Sequence, residues 1–427
     1  MPGQGHEGHG AGHEAEHGAA GALQETRIPG LLMNRRMGSG TSWQPDASPM
    51  FMLHWPRRSW DLMLMGNAFL DYAAQGGPRG FDRIVSQNWA MGMANRRIGS
   101  RGDLMLRLML SLEPATVGDN GVPELFQTGE GLIDRQHPHD LFMEIAAQYT
   151  HRLNRNLAWS LYLAPVGEPA LGPVAYPHRI SAWDNPQTPL AHHLQDSTHI
   201  AYGVITAGLQ GERWKLEGSW FNAREPDSKR WAFDPMRLNS PSVRLWYNPS
   251  QNWSFQVSRG WLKSPEQDEP GDLRRTTASA TYVRELSRGY WSASFLWGRN
   301  DEDGHDEHGP RTEDSFGLEA VYNWADRNYL FGRVERLDRD GLFERGPLAE
   351  RLFTVNAFTL GYQREIGRIG GLDALAGASA TFYGVSSELR NAYGDFPVGV
   401  HVFLRLRPGR MRHEQPRHGT ETPGHQH

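Results

Sequence analysis

The chain has 427 residues, no cysteine and a formal net charge of −5. That excludes a disulfide framework, a thiolate metal site and a thiol nucleophile, and it offers no basic patch for a nucleic-acid partner. Aromatic residues are abundant (15 Trp, 13 Tyr, 17 Phe) and glycines number 48, yet mean hydropathy is only −0.61. Strands with one face in lipid and one in water have this character, because the average conceals the apolar face. No stretch approaches the roughly 20 apolar residues of a spanning helix.

Residues 1–50 read as a disordered His/Gly-rich tail followed by a plug segment. The tail, HEGHGAGHEAEH, carries His6, His9, His13 and His17 among carboxylates. Imidazole with carboxylate in a flexible tract suits zinc, copper or nickel. No apolar h-region opens the chain, so it is read as processed or starting late. The turn-rich stretch GTSWQPDASPM is expected inside a lumen or along its mouth.

From residue 51 to 407 the dominant signal is period-2 alternation. Leu104, Leu106, Leu108 and Leu110 alternate with Met105, Arg107, Met109 and Ser111; Trp253, Phe255 and Val257 alternate with Ser254, Gln256 and Ser258; Val400, Val402, Leu404 and Leu406 alternate with His401, Phe403, Arg405 and Arg407. Such runs predict about sixteen strands of roughly 9–12 residues, the length of a tilted membrane strand. They fall near 60–71, 83–96, 102–113, 142–152, 156–164, 198–209, 212–223, 240–248, 252–261, 273–285, 289–300, 313–325, 327–338, 351–364, 370–383 and 398–407. Short turns alternate with long loops at 114–141, 165–197, 224–239, 262–272, 301–312, 339–350 and 384–397. The expected fold is all-β, an antiparallel transmembrane β-barrel with long extracellular loops. Trp60, Tyr72, Trp220, Phe221, Tyr247, Trp253, Trp261, Trp291, Trp297, Tyr322 and Trp324 cluster at strand ends as interfacial girdles. Arg107, Glu144, Arg213, Lys215, Glu217 and Arg405 are expected to line the pore.

Two long loops concentrate histidine. The first ends in RQHPHD, with His137, His139 and Asp140; the second carries Tyr176, Pro177, His178 and the run TPLAHHLQDSTH. Thr188 could cap a short helix with Pro189 at its first position, placing His192, Asp196 and His199 on one face. Two imidazoles and a carboxylate suit a divalent ion, zinc or copper. The bland alternative is a loop folded into the lumen whose polar groups bond to one another. Methionine is concentrated before residue 110, and Met63, Met65, Met105 and Met109 should face inward if their neighbouring leucines face lipid; thioethers suit Cu(I), although Met more often fills space. Residues 408–427 read as a second disordered tail, with four more histidines.

With this alternation, loop asymmetry and girdling, the chain resembles uncharacterised bacterial outer-membrane porin-like barrels over roughly residues 50–407. The resemblance implies an outer-membrane location, lipid and the barrel-assembly machinery as partners, and passive passage of small solutes or metal ions rather than catalysis. One departure is the polar tail after Arg407, where such proteins usually end on an aromatic strand. No catalytic motif stands out: there is no G-x-S-x-G elbow. The competing readings are an outer-membrane enzyme with a His/Asp site in its extracellular loops, and a soluble secreted β-protein.

Overall fold

A computed structural model describes residues 36–129, 131–266, 271–304, 309–349 and 351–411. Sixteen strands form the wall: β1 (Trp60–Gln75), β2 (Asn88–Ile98), β3 (Gly102–Leu110), β4 (Phe142–Asn154), β5 (Leu157–Gly167), β6 (Ala201–Gln210), β7 (Trp214–Phe221), β8 (Ser240–Ser250), β9 (Trp253–Leu262), β10 (Leu273–Leu286), β11 (Gly289–Glu302), β12 (Arg311–Trp324), β13 (Asn328–Arg339), β14 (Phe353–Ile369), β15 (Leu372–Gly384) and β16 (Val398–Pro408). Each pairs antiparallel with the next, and β1 pairs with β16 from Ala68↔Leu406 to Gln75↔Gly399, closing the barrel. Every expected strand has its counterpart, most within a few residues at each end.

The seam between first and last strands is supplemented. Leu53–Arg57 doubles back on the start of β1, pairing Leu53↔Leu64 through Arg57↔Trp60. A further piece, Asp82–Val85, pairs with Asp71–Ala74 ahead of β2. The C-terminal end stays on the wall beyond its expected boundary: Pro408 is in β16, and Arg410 bridges Phe51. Short turns close the opposite edges. Gly370 and Gly371, both at positive φ (57° and 89°), join β14 to β15 in the primed geometry that matches strand twist.

The alternation sorts as a membrane barrel requires. Leu70, Leu106, Leu108, Leu216, Val257, Leu318, Leu360, Val402 and Leu404 are all exposed on the outside. Trp253, Tyr282 and Trp291 form one outer aromatic run, with centroids 4.8 and 4.9 Å apart, and Tyr322, Trp324 and Tyr362 another. Both runs sit toward the short-turn edge. Phe221 departs from the expected girdle: it is fully buried, because its position in β7 has inward parity. A soluble β-protein would bury the large apolar face that is exposed here. The chain is an outer-membrane barrel, and its interior is polar.

That interior is filled by two inserts. Residues 36–52 enter as a plug. Arg36 pairs with Asp46 at 2.6 Å and donates to the Glu212 carbonyl, Arg107 donates to the Gly40 carbonyl, Lys215 to that of Thr41, and Asn248 to that of Gln44. Residues 168–200, between β5 and β6, form a strap across the lumen. Arg179 holds Glu319 (2.7 Å) and Asp196 (3.0 Å). Arg333 donates to the carbonyls of Gln187 and Thr188. Asp184 accepts from Arg405 and from Gln363 (2.6 Å), with Arg407 at 3.5 Å.

Breaking a buried ion pair from one side costs on the order of 3–5 kcal/mol, because the partner charge remains buried. Asp184→Ala strands two guanidinium groups. It should therefore loosen the strap while the wall stays closed, seen as faster proteolysis within 168–200 at unchanged β-sheet circular dichroism.

Candidate metal-binding cluster at the long-loop end of the lumen

The inward wall residues are tied up in pairs rather than lining open water. Arg107 meets Glu144 at 3.3 Å, and Tyr162 donates to Glu144 at 2.8 Å. Lys215 meets Glu217 at 3.1 Å; Arg244 bridges Glu217 and Glu168. Arg405 reaches the strap. Each of these expected pore residues points inward and is buried. Arg213 does not belong with them: it is exposed in the short turn before β7, because the strand begins one residue later.

The loop histidines converge. The loop after β3 forms the helix Glu113–Thr116 and a hairpin of Val122–Gly129 with Leu132–Gln136, then delivers His137 and His139. The strap delivers His192 and His193 on the four-residue helix His192–Gln195, and His199 on the 3-10 turn Ser197–His199. Thr188 does not cap that helix: Ala191 is the N-cap, and the Thr188 hydroxyl turns to Tyr176 at 3.4 Å. The expected face nevertheless forms, since the His192 and Asp196 side chains meet at 2.6 Å. Ring centroids are 5.0 Å apart for His192–His193, 5.1 Å for His192–His199, 5.4 Å for His139–His199 and 5.8 Å for His137–His193. Gly129, at φ 141°, lets the hairpin close over this array; a Cβ there would lie 2.6 Å from His193 Cε1.

Four of these rings share one orientation. The Nδ1 of His192 faces Asp196 Oδ1 (2.6 Å), that of His193 faces Glu225 (3.2 Å), that of His139 faces Glu113 (2.9 Å) and that of His199 faces the Asp196 carbonyl (2.7 Å). A neutral imidazole beside an acceptor oxygen carries its proton there, which leaves Nε2 as the lone-pair nitrogen. His193 and His199 Nε2 are sealed from solvent without a hydrogen-bond partner among the described residues. His139 Nε2 lies 3.2 Å from the Tyr176 hydroxyl. Metal-bound histidines are oriented in this same way, one nitrogen on an oxygen acceptor and the other on the ion.

The electrostatics keep most of these rings uncharged. They sit on loops, outside the spanning strands. Burial lowers His137 to about 3 and His192 to about 4, and puts His199 well below its ordinary value. For His139, burial is outweighed by the Glu113 carboxylate and the value rises. Among the described residues, no three His, Asp or Glu side chains already converge on a single point as a coordination sphere. The spacing is nevertheless suitable, because two rings sharing a zinc ion at about 2.0–2.1 Å have centres roughly 5 Å apart.

His178 stands apart from the array, its ring tilted against Trp89 with centroids 4.3 Å apart. The sequence reading did not single out His193, Glu113 or Glu225. The His192–His193 doublet was visible, but its carboxylate partners come from loops distant in sequence. His6, His9, His13 and His17 lie outside the described residues, as does the C-terminal tail from residue 412.

At the long-loop end, a cavity of about 420 Å³ opens beside His193, lined by Glu266, Glu302, Glu313, Asp340 and Glu344 together with Arg311 and Arg339. Its rim is more acidic than basic.

No family model matches the chain, and no curated protein is significantly similar to it in sequence. Solved structures do match in fold. An anion-selective porin from Comamonas acidovorans aligns with a TM-score of 0.52 at 12% identity, over 82% of this chain and 99% of that one. OmpF of Salmonella typhi, in complex with daunomycin, aligns with a TM-score of 0.51 at 10% identity, over 83% of this chain and all of the porin. The wall is thus a porin-type barrel in fold.

Proposed function

We propose that the protein is an outer-membrane channel for small solutes, narrowed by the strap, and that its cargo includes divalent transition-metal ions bound in passing by the loop imidazoles. The observation that carries the channel reading is the interior: a bore of paired charges and hydrogen bonds inside an apolar wall. Water can serve these polar groups as well as they serve one another, so a path opens wherever the strap shifts and its pairs part. The strap is held by side-chain contacts rather than by the wall's backbone ladder, so it can shift while the barrel stays closed.

The metal reading is supported by the shared Nδ1 orientation and the acidic vestibule beside His193. A cation collected at the rim would meet lone-pair nitrogens next. The outer-membrane enzyme reading draws less support. The hydroxyl at His139 is that of Tyr176, whose pKa burial raises well above 10, which disfavours it as a nucleophile.

Two measurements test these claims. In planar bilayers the intact protein should show small unitary conductance, and the double variant Arg179→Ala/Asp184→Ala should conduct severalfold more. Equal conductance, or a closed state in both, overturns the channel reading.

Zinc binding by equilibrium dialysis should separate the loops from the N-terminal tail. Imidazole must be neutral to ligate. An unperturbed imidazole titrates near 6.5, so binding by such groups should vanish as pH falls through that value. His192 and His199 are already held neutral by burial and should still bind near pH 5. Deleting residues 1–20 should remove only the component lost near 6.5, and His192→Ala/His199→Ala only the acid-resistant one. An uptake that falls in a single step near 6.5 in every variant would exclude the loop site.

A further inference from the structure

The sequence contains three Met-x-Met pairs near its start: Met50 and Met52, Met63 and Met65, Met91 and Met93. In a strand, residues two apart share a face. Met63 and Met65 lie in β1 and Met91 and Met93 in β2, and the register sets them directly opposite, Met63↔Met93 and Met65↔Met91. Directly opposed side chains have Cβ atoms about 4.5–5.5 Å apart, so four thioethers form a two-by-two patch on the inner wall. The outer positions of the same strands carry Leu62 and Ala94, as the alternation requires.

Two inserts close over this patch. The plug brings Met37, Met50 and Met52, and the strap brings His178. Together they line a cavity of about 60 Å³. The chamber thus draws on four separate segments, and seven of its eleven lining residues are methionines. His178 supplies an independent observation: its Nε2 is shielded from solvent and has no hydrogen-bond partner among the described residues. Burying such a nitrogen unsatisfied is costly. Methionine as plain filler explains neither the residual cavity nor an unsatisfied imidazole on its lining.

We propose that this chamber is a binding site for a monovalent soft cation, Cu(I), held by thioethers of Met63, Met65, Met91 and Met93 with His178 Nε2. Soft thioether ligands select Cu(I) over hard divalent ions, so the site differs in chemistry from the imidazole cluster. A role for it in transport rests on the channel reading above; its existence as a site does not.

The test uses full-length protein in detergent, titrated with Ag(I) in chloride-free buffer as a redox-stable probe, and with Cu(I) against a competing chelator. Met63→Leu/Met91→Leu/Met93→Leu keeps volume and apolarity while removing three sulfurs. His192→Ala/His199→Ala serves as the second variant, and circular dichroism and heat-modifiable mobility report that each barrel is folded. The intact protein and the histidine variant should bind one Ag(I) equivalent that the leucine variant binds at least tenfold more weakly. X-ray absorption of the Cu(I)-loaded protein should show a sulfur shell that the leucine variant lacks. Undiminished affinity in a folded leucine variant, or a nitrogen-only shell, would overturn the proposal and make the chamber adaptable core packing. Conductance is measured separately, so a failed channel reading would leave this binding result standing.

Discussion

The arrangement depends on one buried carboxylate. Asp184 sits at the centre of the strap and receives Arg405, Arg407 and Gln363 from the wall. Both guanidinium groups also lie over Trp183, at 4.8 and 5.1 Å from the ring. A polar barrel interior has to be hydrated or paired, since unpaired charge at low dielectric is prohibitively costly. Here pairing was the outcome, and Asp184 is where strap and wall share it. Its position sets the path of the strap on either side: toward Arg179 and the plug in one direction, toward the imidazole helix in the other.

The wall was legible because each strand answers to one local rule. Leu104, Leu106 and Leu108 face lipid and Arg107 faces in because the period is two, and nothing distant alters that parity. Loop lengths were legible for the same reason. Phe221 shows the limit: aromatic identity suggested a girdle, but parity in β7 turned it inward. Arg213 shows another, since the strand starts at Trp214, two residues after the expected position, and leaves Arg213 in the turn.

The candidate site was only half legible. The Asp196 and His192 contact follows from four-residue spacing on a helical turn. The carboxylates that orient His139 and His193 do not, because Glu113 and Glu225 are 26 and 32 residues away and meet their partners only through the fold. The same holds for the methionine chamber. The sequence put Met63 and Met65 on an inner face, but not the register that sets them against Met93 and Met91, nor the arrival of His178. Long-range register and inserted loops are tertiary facts, and single-sequence periodicity carries no record of them.

The doubled-back segment Leu53–Arg57 bears on how such a molecule comes to be assembled. It occupies the edge of β1 next to the place where β16 docks, and the plug continues directly from it into the bore. The contacts that shut the cylinder join opposite ends of the polypeptide, the largest sequence separation available, whereas both inserts precede β6 in chain order. Non-local pairings of this kind are slow to form because they carry the greatest chain-closure entropy. Loading of the interior would then precede sealing, so the contents would act as a mandrel around which the last strand is fitted.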